Sequence, residues 1–372
     1  MDLRTYTLEE LDHYLTPLFS SSESKLPQDP LPLTSLPLSP LRLKSYLNNP
    51  RANQNDTVLF EMFHENQLVG YRSLLPDLYF DQEGAPQRFA WLSGNWVHPE
   101  MRRKGISTKL LIEAEKKWEG RLMYTNYAPD SKALYDNTQR FFALINREGR
   151  RYYLRSNSEE LLGNRVNAKG LLRKGDQAIN QIREQKLKSF TFPEFPSILI
   201  ESVEEPSSEM EKLISRLQKS SLFGRETDIF NWALENPWVT DRKLPSLPYH
   251  FSYQSEKFEN ILYEYRHSET GARGLLWLIH HNSAISVPYL FAEDEQLIAA
   301  MAKTLLQDMI KSGCTHTTIR HAELNKQLMA YKKIFLSSKS MSQFIFAHRM
   351  LAASVPSHTF IHDGDGDVMF TG

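Results

Sequence analysis

Residues 97–111 read VHPEMRRKGISTKLL, and this stretch decides how the first half of the chain is interpreted. A β-rich run ends at its start, a basic loop follows, and a helical pattern begins at Ile106. The first amide groups of a helix have no partner within the helix, and the helix dipole is positive there. Arg102, Arg103 and Lys104 add positive charge to the loop. The sequence therefore predicts a loop that binds a phosphate group.

Two small residues make room for such a ligand. Gly105 lets the backbone come close to the ligand and adopt conformations that are closed to other residues. Ser107, two positions further on, is too small to fill the space. The loop is therefore predicted to hold the ligand through backbone amides as well as through charge.

Three β-rich runs precede the loop, at residues 57–63, 68–80 and 88–97. Polar turn residues separate these runs, which predicts an antiparallel meander of three strands. After the loop, the apolar residues of 106–118 recur at helical spacing and predict a helix.

The same half continues with a predicted strand at 121–128 and a predicted helix at 131–145. Alternation of strands and helices is typical of an α/β core. Ahead of the meander, the proline-rich stretch 26–40 is predicted to be a loop between two short helices, because proline removes a backbone donor.

The second half of the chain repeats this order of elements with hardly any similarity in sequence. Residues 149–193 are strongly polar and include a predicted charged helix, so the domain boundary is placed there. Two helices, four strands, a long helix, a strand and a helix follow, and the chain ends with another pair of strands. The predicted division is 1–160 for the first domain, 161–194 for a helical linker and 195–372 for the second domain.

The composition is that of an ordinary soluble protein of about two domains. Hydrophobic residues make up 41% and charged residues 24% of 372 residues, which is enough for sizeable cores. The 44 Lys and Arg residues are balanced by 45 Asp and Glu residues, which argues against nucleic acid as a partner. No run approaches the roughly 20 apolar residues that cross a bilayer, so no membrane association is predicted. A single cysteine, Cys314, and a start without signal-peptide character predict a cytoplasmic location.

The loop in its context resembles the acetyl-CoA signature of the GNAT superfamily of N-acetyltransferases, Arg/Gln-x-x-Gly-x-Gly/Ala after a Val-x-Pro strand end. Here Val97-His98-Pro99 is followed by Arg102-Arg103-Lys104-Gly105-Ile106-Ser107, with serine where the family has glycine or alanine. The resemblance covers about residues 1–155 by motif and about 195–372 by the order of elements. It implies an α/β fold of two tandem GNAT-like acyl-CoA N-acyltransferase domains, with a mixed sheet flanked by helices.

The same resemblance implies acetyl-CoA as the cosubstrate and no metal. The strand end at Val97 and its neighbours would pair with the pantetheine arm, and the loop amides would hold the pyrophosphate. The cofactor-binding residues implied in this way are Val97, Arg102, Arg103, Lys104, Gly105, Ile106, Ser107 and Thr108.

The catalytic residues fit the family pattern less regularly. The resemblance implies that a tyrosine in the helix after the fifth strand protonates the leaving thiolate, and here that is Tyr135, with a packed core tyrosine as the alternative. The family often has a glutamate on the strand before the basic loop that acts as general base, and its position falls on Ser93 here. The base is therefore expected from elsewhere: His98, water or the second domain. Asn95 and Asn126 are candidates for contacts with substrate or cofactor amides, or for caps of their own backbone.

The second half has no counterpart of the basic loop. Where it would stand, Glu293, Asp294 and Glu295 would repel a pyrophosphate, so this copy is not expected to bind acetyl-CoA. Its expected role is to cover the first domain and complete the acceptor cleft. The acidic tail 363–367 lacks the spacing of a calcium-binding EF-hand, and is expected either to select a cationic amine or to form a solvated turn.

The sequence thus predicts an acetyl-CoA-dependent N-acetyltransferase that moves an acetyl group to a primary amine by direct attack. The amine belongs to a small molecule or to a protein, and the sequence specifies neither its identity nor the oligomeric state. Two other classes remain open. One is a non-catalytic protein that binds or senses acyl-CoA, and the other is a FemABX-like aminoacyl transferase, which also pairs two such domains.

Overall fold

The computed structural model describes residues 1–20, 35–125, 129–162, 169–218, 221–356 and 360–371. Within these ranges the strands are β1 (Asp2–Thr7), β2 (Thr57–His64), β3 (Gln67–Phe80), β4 (Pro86–Val97), β5 (Leu122–Tyr124), β6 (Phe141–Arg147), β7 (Arg150–Tyr153), β8 (Ile198–Val203), β9 (Phe258–His267), β10 (Arg273–His281), β11 (Ala284–Ala292), β12 (His316–Ile319), β13 (Ser337–Ser340) and β14 (Gln343–His348). The helices are α1 (Leu8–Ser20), α2 (Pro40–Leu47), α3 (Ile106–Lys117), α4 (Pro129–Thr138), α5 (Ser158–Leu162), α6 (Lys169–Lys188), α7 (Ser208–Leu217), α8 (Thr227–Glu235), α9 (Glu295–Ser312) and α10 (Ala322–Ala330).

The strands form two seven-stranded mixed sheets with the same plan. The first has the order β1-β2-β3-β4-β5-β14-β6, and the second, taken from its other edge, has the order β8-β9-β10-β11-β12-β7-β13. In each sheet, four antiparallel strands are followed by one pair of parallel neighbours. This pair is β4 and β5 in the first sheet and β11 and β12 in the second. The predicted meander is confirmed as β2, β3 and β4. The predicted α/β class, with mixed sheets flanked by helices, is confirmed.

Each sheet contains one strand from the other half of the chain. β7 follows β6 directly, yet it lies in the second sheet between β12 and β13. β14, near the C-terminus, is inserted in the first sheet between β5 and β6. Sheet membership therefore differs from the predicted division at residues 160 and 195. The reason is that strand pairing is non-local, so the order of elements along the chain does not reveal it.

The predicted helix over 131–145 is correct only in its first part. α4 ends at Thr138, Gln139 has a φ of 51°, and β6 begins at Phe141. A short apolar run such as FFALI is compatible with a helix or a strand, and pairing with β14 decides in favour of a strand.

Of the strands that the sequence did not predict, β1, β8 and β13 are at sheet edges, whereas β7 lies inside the second sheet. β1, β8 and β13 each have one neighbouring strand, and their side chains are largely exposed. Such strands lack the alternation of buried and exposed residues that predicts a strand. The strands predicted at 250–254 and 358–364 form only isolated bridges in their described parts, and residues 358 and 359 lie outside the described ranges. The helices predicted around the proline-rich stretch are α1 and α2, and residues 26–34 of the stretch lie outside the described ranges as well.

One apolar core joins the two halves. It contains residues of α1, α2 and one face of the first sheet together with residues of α7, α8, one face of the second sheet and the C-terminal tail. The opposite face of the first sheet packs on α3, and the opposite face of the second sheet packs on α9. None of the helices in the described ranges combines the length and the apolarity that crossing a bilayer requires.

Candidate functional site

The first sheet opens between β4 and β5. Their parallel ladder has two residue pairs, of which the second joins Trp91 and Met123. Beyond this pair β4 continues to Val97, whereas β5 ends at Tyr124. β4 keeps β3 as its neighbour on the other side along this length. Among the described residues, the open edge of β4 on the β5 side has no strand neighbour beyond Trp91 and faces a split between the strands. Backbone amides and carbonyls there can pair with an extended ligand.

Ser93 forms a bulge in β4 where the split begins. Ser73 of β3 pairs with Gly94 and Leu74 pairs with Leu92, so Ser93 is the extra residue between them. A bulge bends its strand and redirects a side chain. The bend and the end of the β4–β5 ladder thus coincide.

The basic loop lies at the end of β4 and leads into α3. Gly105 is the N-cap residue of α3 in the left-handed conformation, with a φ of 80°. Apart from its chain neighbours, no atom of the described residues lies within 4 Å of the position that a Cβ would take. Because glycine has no side chain, Gly105 cannot cap the first backbone amides of the helix, at 106–108, through a side-chain hydrogen bond. The side chains of Arg102, Arg103 and Lys104 are exposed. Open space, amides and positive charge at one helix start fit a pyrophosphate.

The predicted cofactor-binding residues lie next to one another. Val97 is the last residue of β4 and borders the split. The side chain of Ile106 is buried in the core under α3, so its backbone amide is the group that can face a ligand. Ser107 is half-buried and its Oγ accepts a bond from Asn95 Nδ2 at 3.3 Å, whereas Thr108 is exposed.

Tyr135 lies on α4 with its ring buried beside β5. The ring stacks on Tyr124 with the centroids 4.1 Å apart, and it meets Phe141 edge-on at 5.6 Å. Tyr135 and Phe141 are thus in direct contact. The phenol oxygen accepts a bond from Arg72 Nη1 at 3.2 Å. A guanidinium group can only donate, so the phenol proton is not used in this bond.

Arg72 is a candidate functional residue that sequence reasoning missed. It is fully buried in β3, and its Nη2 donates to Asn95 Oδ1 at 3.2 Å. Together with the bond from Asn95 to Ser107, this links Tyr135 of α4 to β4 and to the first turn of α3. The signal in the sequence is a cation inside a largely apolar strand, a position that charged side chains rarely occupy.

His98 is not brought to the split. The Nδ1 atom of His98 accepts a bond from the backbone N–H of Glu100 at 3.3 Å, so His98 caps the short 3-10 turn Pro99–Met101. It lies five residues beyond Ser93, about 16 Å along an extended chain. The structure therefore places His98 beside the basic loop and away from the bulge. Asn126 lies outside the described residues.

The C-terminal tail crosses the split at the bulge. Ser93 Oγ donates to Asp367 Oδ2 at 3.1 Å. The preceding residue, Gly366, stands on the side of β5, because a Cβ atom there would lie 2.9 Å from Cγ2 of Thr125, the residue after β5. The tail thus approaches both strands at the point where they separate, and Asp367 is half-buried between them.

The other two aspartates of the tail are buried in ion pairs. Arg225 Nε donates to Asp365 at 2.9 Å, and the two terminal nitrogens of Arg225 each donate to Asp77 of β3 at 2.8 Å. Asp363 pairs with Arg147. Burial by itself would raise the pKa of Asp77, but neighbouring arginines, Arg225 first, lower it to about 2. The expected solvated turn is therefore wrong for this part of the tail, because ion pairs hold it against both halves.

A buried guanidinium group faces the same serine from the other side. Arg42 of α2 donates through Nη2 to Ser93 Oγ at 2.8 Å and to Ser73 Oγ at 3.2 Å. Its Nη1 donates to the hydroxyl of Tyr249 at 3.3 Å, and its guanidinium carbon lies 4.1 Å from the ring centroid of Trp238. Both halves of the chain thus contribute side chains around Ser93.

Comparison with known proteins shows a similarity between this region and a family of acetyltransferases. Residues 23–144, about a third of the chain, match the sequence model of the acetyltransferase (GNAT) family. The matched stretch includes the meander, the basic loop, α3, β5 and Tyr135. This part of the first half is therefore similar in sequence to GNAT acetyltransferases. A sequence comparison with curated proteins finds no match.

The solved structures that are similar over most of the chain include two N-acetyltransferases. A GCN5-related N-acetyltransferase from Anabaena variabilis is 10% identical, with a TM-score of 0.47, and the match covers 93% of this chain and 72% of that one. A GCN5-related N-acetyltransferase from Kribbella flavida is 13% identical, with a TM-score of 0.45, and the match covers 92% of this chain and 70% of that one.

Proposed function

We propose that the protein is an acetyl-CoA-dependent N-acetyltransferase that acts on a primary amine. The observation that carries the proposal is the strand split that ends at a basic helix start capped by Gly105. β4 spans about 13 Å from Ser93 to Val97, and its open edge would bind the extended arm of the cosubstrate. The amides at 106–108 and the cations at 102–104 would bind its pyrophosphate. The GNAT match to the same residues supports acyl transfer.

In the proposed reaction the amine nitrogen attacks the thioester carbon directly. Amide groups on the open edge of β4 beyond Trp91 stabilise the carbonyl oxygen while it carries negative charge. As the bond between carbon and sulfur breaks, Tyr135 donates its proton to the sulfur. Arg72 holds the phenol through its oxygen, and Asn95 holds Arg72 in turn.

We propose that the second half completes the acceptor side and binds no acetyl-CoA. Asp294 is the N-cap residue of α9, and its side chain accepts a bond from the Leu297 amide at 2.8 Å. Glu293 and Glu295 flank it. A helix start that is already capped by a carboxylate and flanked by two more acids would repel a pyrophosphate.

The test of the proposed cofactor site is Gly105→Glu. Calorimetry with acetyl-CoA should give one site per chain in the wild type and no binding in the variant, because the glutamate adds bulk and negative charge beside the pyrophosphate. Gly271→Glu in the second half is the matched control: Gly271 has a φ of 75° and no atom within 4 Å of its Cβ position. Two sites per chain, or binding that survives Gly105→Glu, would contradict the proposal.

Turnover separates the enzyme from the two alternative classes. Acetyl-CoA consumption should be measured with spermidine, glucosamine, L-lysine, an aminoglycoside and a lysine-containing peptide with a free N-terminus, and at least one should be acetylated. Tight binding without turnover favours the non-catalytic acyl-CoA binder. Transfer from an activated amino acid instead of acetyl-CoA favours the aminoacyl transferase. The cytoplasmic location stays a prediction from the sequence.

A further inference from the structure

We propose that Asp367, on the C-terminal tail, is the general base of this reaction and accepts the proton that the acceptor amine loses. The inference rests on the proposed function. It assigns the general base to the tail, because strand β4 itself has no carboxylate that could take this role. β4 contains no aspartate or glutamate, and at its bulge stands Ser93. Ser93 Oγ donates a hydrogen bond to a carboxylate oxygen at 3.1 Å, and that carboxylate belongs to Asp367.

The position of the tail is the first argument. The thioester would lie where β4 and β5 separate, since that is where the open edge of β4 begins. Gly366 approaches Thr125 on the β5 side of this point, and Asp367 bonds Ser93 on the β4 side. The tail therefore places a carboxylate directly at the mouth of the split.

The tail is held on both sides of Asp367, which is the second argument. Before it, Asp365 is bound by Arg225, which is itself bound by Asp77 of β3. After it, Phe370 is fully buried and stacks on Trp238, with the centroids 4.7 Å apart and the rings nearly parallel. A base must be held within hydrogen-bond reach of the reacting atom, and these anchors restrict the carboxylate to the split.

The polarity of the hydrogen bonds is the third argument. Ser93 Oγ accepts from Arg42 and donates to Asp367, so a permanent cation lies two hydrogen bonds from the carboxylate. Asp367 is therefore the acceptor in its bond with Ser93, as a carboxylate oxygen is. The bond from Ser93 does not occupy Oδ1 of Asp367. Asp363 and Asp365, by contrast, are buried in ion pairs.

Other candidates lie farther from the split. Glu61 is buried in β2, two strands away from β4, about 10 Å across the sheet, and accepts a bond from Tyr14 at 2.9 Å. His98 caps the turn beside the basic loop. Of the carboxylates in the described residues that bond side chains of β4, Asp367 is the one at the bulge.

The proton and electron balance closes with residues of this chain. A bond forms between the amine nitrogen and the thioester carbon, and the nitrogen becomes a stronger acid as it does so. Asp367 takes the proton from the nitrogen, and the electron pair of the breaking carbon–sulfur bond stays on sulfur. Tyr135 gives its proton to that sulfur. Between turnovers Asp367 loses a proton to water and Tyr135 regains one, so the overall reaction converts amine and thioester to amide and thiol.

The central variant is Asp367→Asn in the full-length protein. With the best amine of the panel named above, kcat should fall by about 100-fold or more, the range that general-base catalysis supplies, while the Kd for acetyl-CoA changes less than about twofold. Asp241→Asn is the control, because it removes the same charge from an exposed residue of the second half. It should leave kcat unchanged.

Two further variants separate a base from a structural role. Asp367→Ala leaves a space at the split, so added formate should restore part of the kcat of this variant. Formate should not change the kcat of Asp367→Asn, because the asparagine side chain fills that space. Gly366→Ala moves the tail, because Gly366 has a φ of 94° and its Cβ would meet Thr125. Its kcat should fall well below that of Gly271→Ala, which has the same type of backbone strain in open space.

Each outcome has a definite meaning. Turnover by the wild type, its loss in Asp367→Asn and rescue of Asp367→Ala by formate support the inference. Turnover that persists in Asp367→Asn overturns the inference and leaves the proposed function intact. Loss of turnover together with loss of acetyl-CoA affinity assigns Asp367 a structural role, and so does loss of turnover that formate does not rescue. Either result also overturns the inference. Absence of wild-type turnover with every amine of the panel overturns the proposed function and the inference together.

Discussion

Two buried arginines stand on opposite faces of the first sheet at the split. Arg42 bonds Ser73 and Ser93 on the face that also receives the tail, whereas Arg72, the neighbour of Ser73 in β3, bonds Tyr135 on the face that packs on α3. Successive residues of a strand point to opposite faces, so the two guanidinium groups cannot share one side. The proposed base and the proposed acid are thus on opposite sides of the split, as expected when the amine approaches from one face and the thiolate leaves toward the other.

Tyr135→Phe tests the proposed acid at the level of one atom. The ring and its packing are kept, so kcat should fall by about 100-fold or more while acetyl-CoA affinity stays near wild type. Because Arg72 loses an acceptor in a buried site, unfolding should also become easier by about 1–3 kcal/mol.

Tyr152→Phe is the control for that loss of stability. Its buried hydroxyl donates to Asn325 at 3.0 Å in the second half, so its removal costs a hydrogen bond without touching the split. Its kcat should be unchanged. If Tyr135→Phe retains the wild-type kcat with the chemical step rate-limiting, Tyr135 is a core residue and water protonates the thiolate.

At the level of elements, α1 is fastened to the first sheet by a buried polar pair. The hydroxyl of Tyr14 donates to Glu61 of β2 at 2.9 Å, and Glu61 is fully buried. Burial raises the pKa of the Glu61 carboxyl to about 7, although the bond from Tyr14 and the charge of Arg4 oppose the rise. The neutral carboxyl is therefore the form that suits the contact between α1 and the sheet.

Glu61→Gln should remove a pH dependence of stability. The unfolded carboxyl titrates near 4.5 and the folded one near 7, so the folded state binds the proton more tightly. The contribution of Glu61 to stability is full below pH 4.5 and is lost as the pH rises through 7. Denaturant titrations should show Glu61→Gln gaining about 2–3 kcal/mol relative to wild type between pH 5 and pH 8. The exposed Glu83→Gln serves as the control, and an equal, pH-independent difference in both variants would contradict the expectation.

At the level of the whole molecule, the exchanged strands and the shared core make the two halves interdependent. β14 separates β5 from β6 in the first sheet, and β7 separates β12 from β13 in the second. The C-terminal tail packs its last apolar residues into the core between the sheets. Neither half has a complete sheet when the chain is cut between them.

We therefore expect one cooperative unfolding transition for the full chain. Denaturant curves followed by tryptophan fluorescence and by far-UV circular dichroism should coincide, because each sheet requires a strand from the other half. A fragment of residues 1–190 lacks β14 and should not bind acetyl-CoA. Two separate transitions, or a fragment that binds acetyl-CoA, would show that the halves fold independently.

Part of the candidate site was predictable because it is local in sequence. The residues from Val97 to Thr108 are neighbours along the chain, and a strand end, a glycine and a helix start fix their relative positions with few long-range contacts. Tyr135 was predictable as a position on the helix after β5. Its partner Arg72, 63 residues earlier, was not, because a hydrogen bond between distant residues leaves no periodic pattern.

The sequence by itself determined the α/β class, the meander, the basic helix start at Gly105 and the absence of an equivalent loop in the second half. These follow from side-chain periodicity, from a glycine at a helix cap and from local charge, all of which act over a few residues. Only the tertiary structure decided which strands complete each sheet and which carboxylate stands at Ser93. Asp367 is 274 residues from Ser93, and its position depends on the exchange of β7 and β14, on the burial of Phe370 and on the Arg225 ion pairs, which exist only in the folded chain.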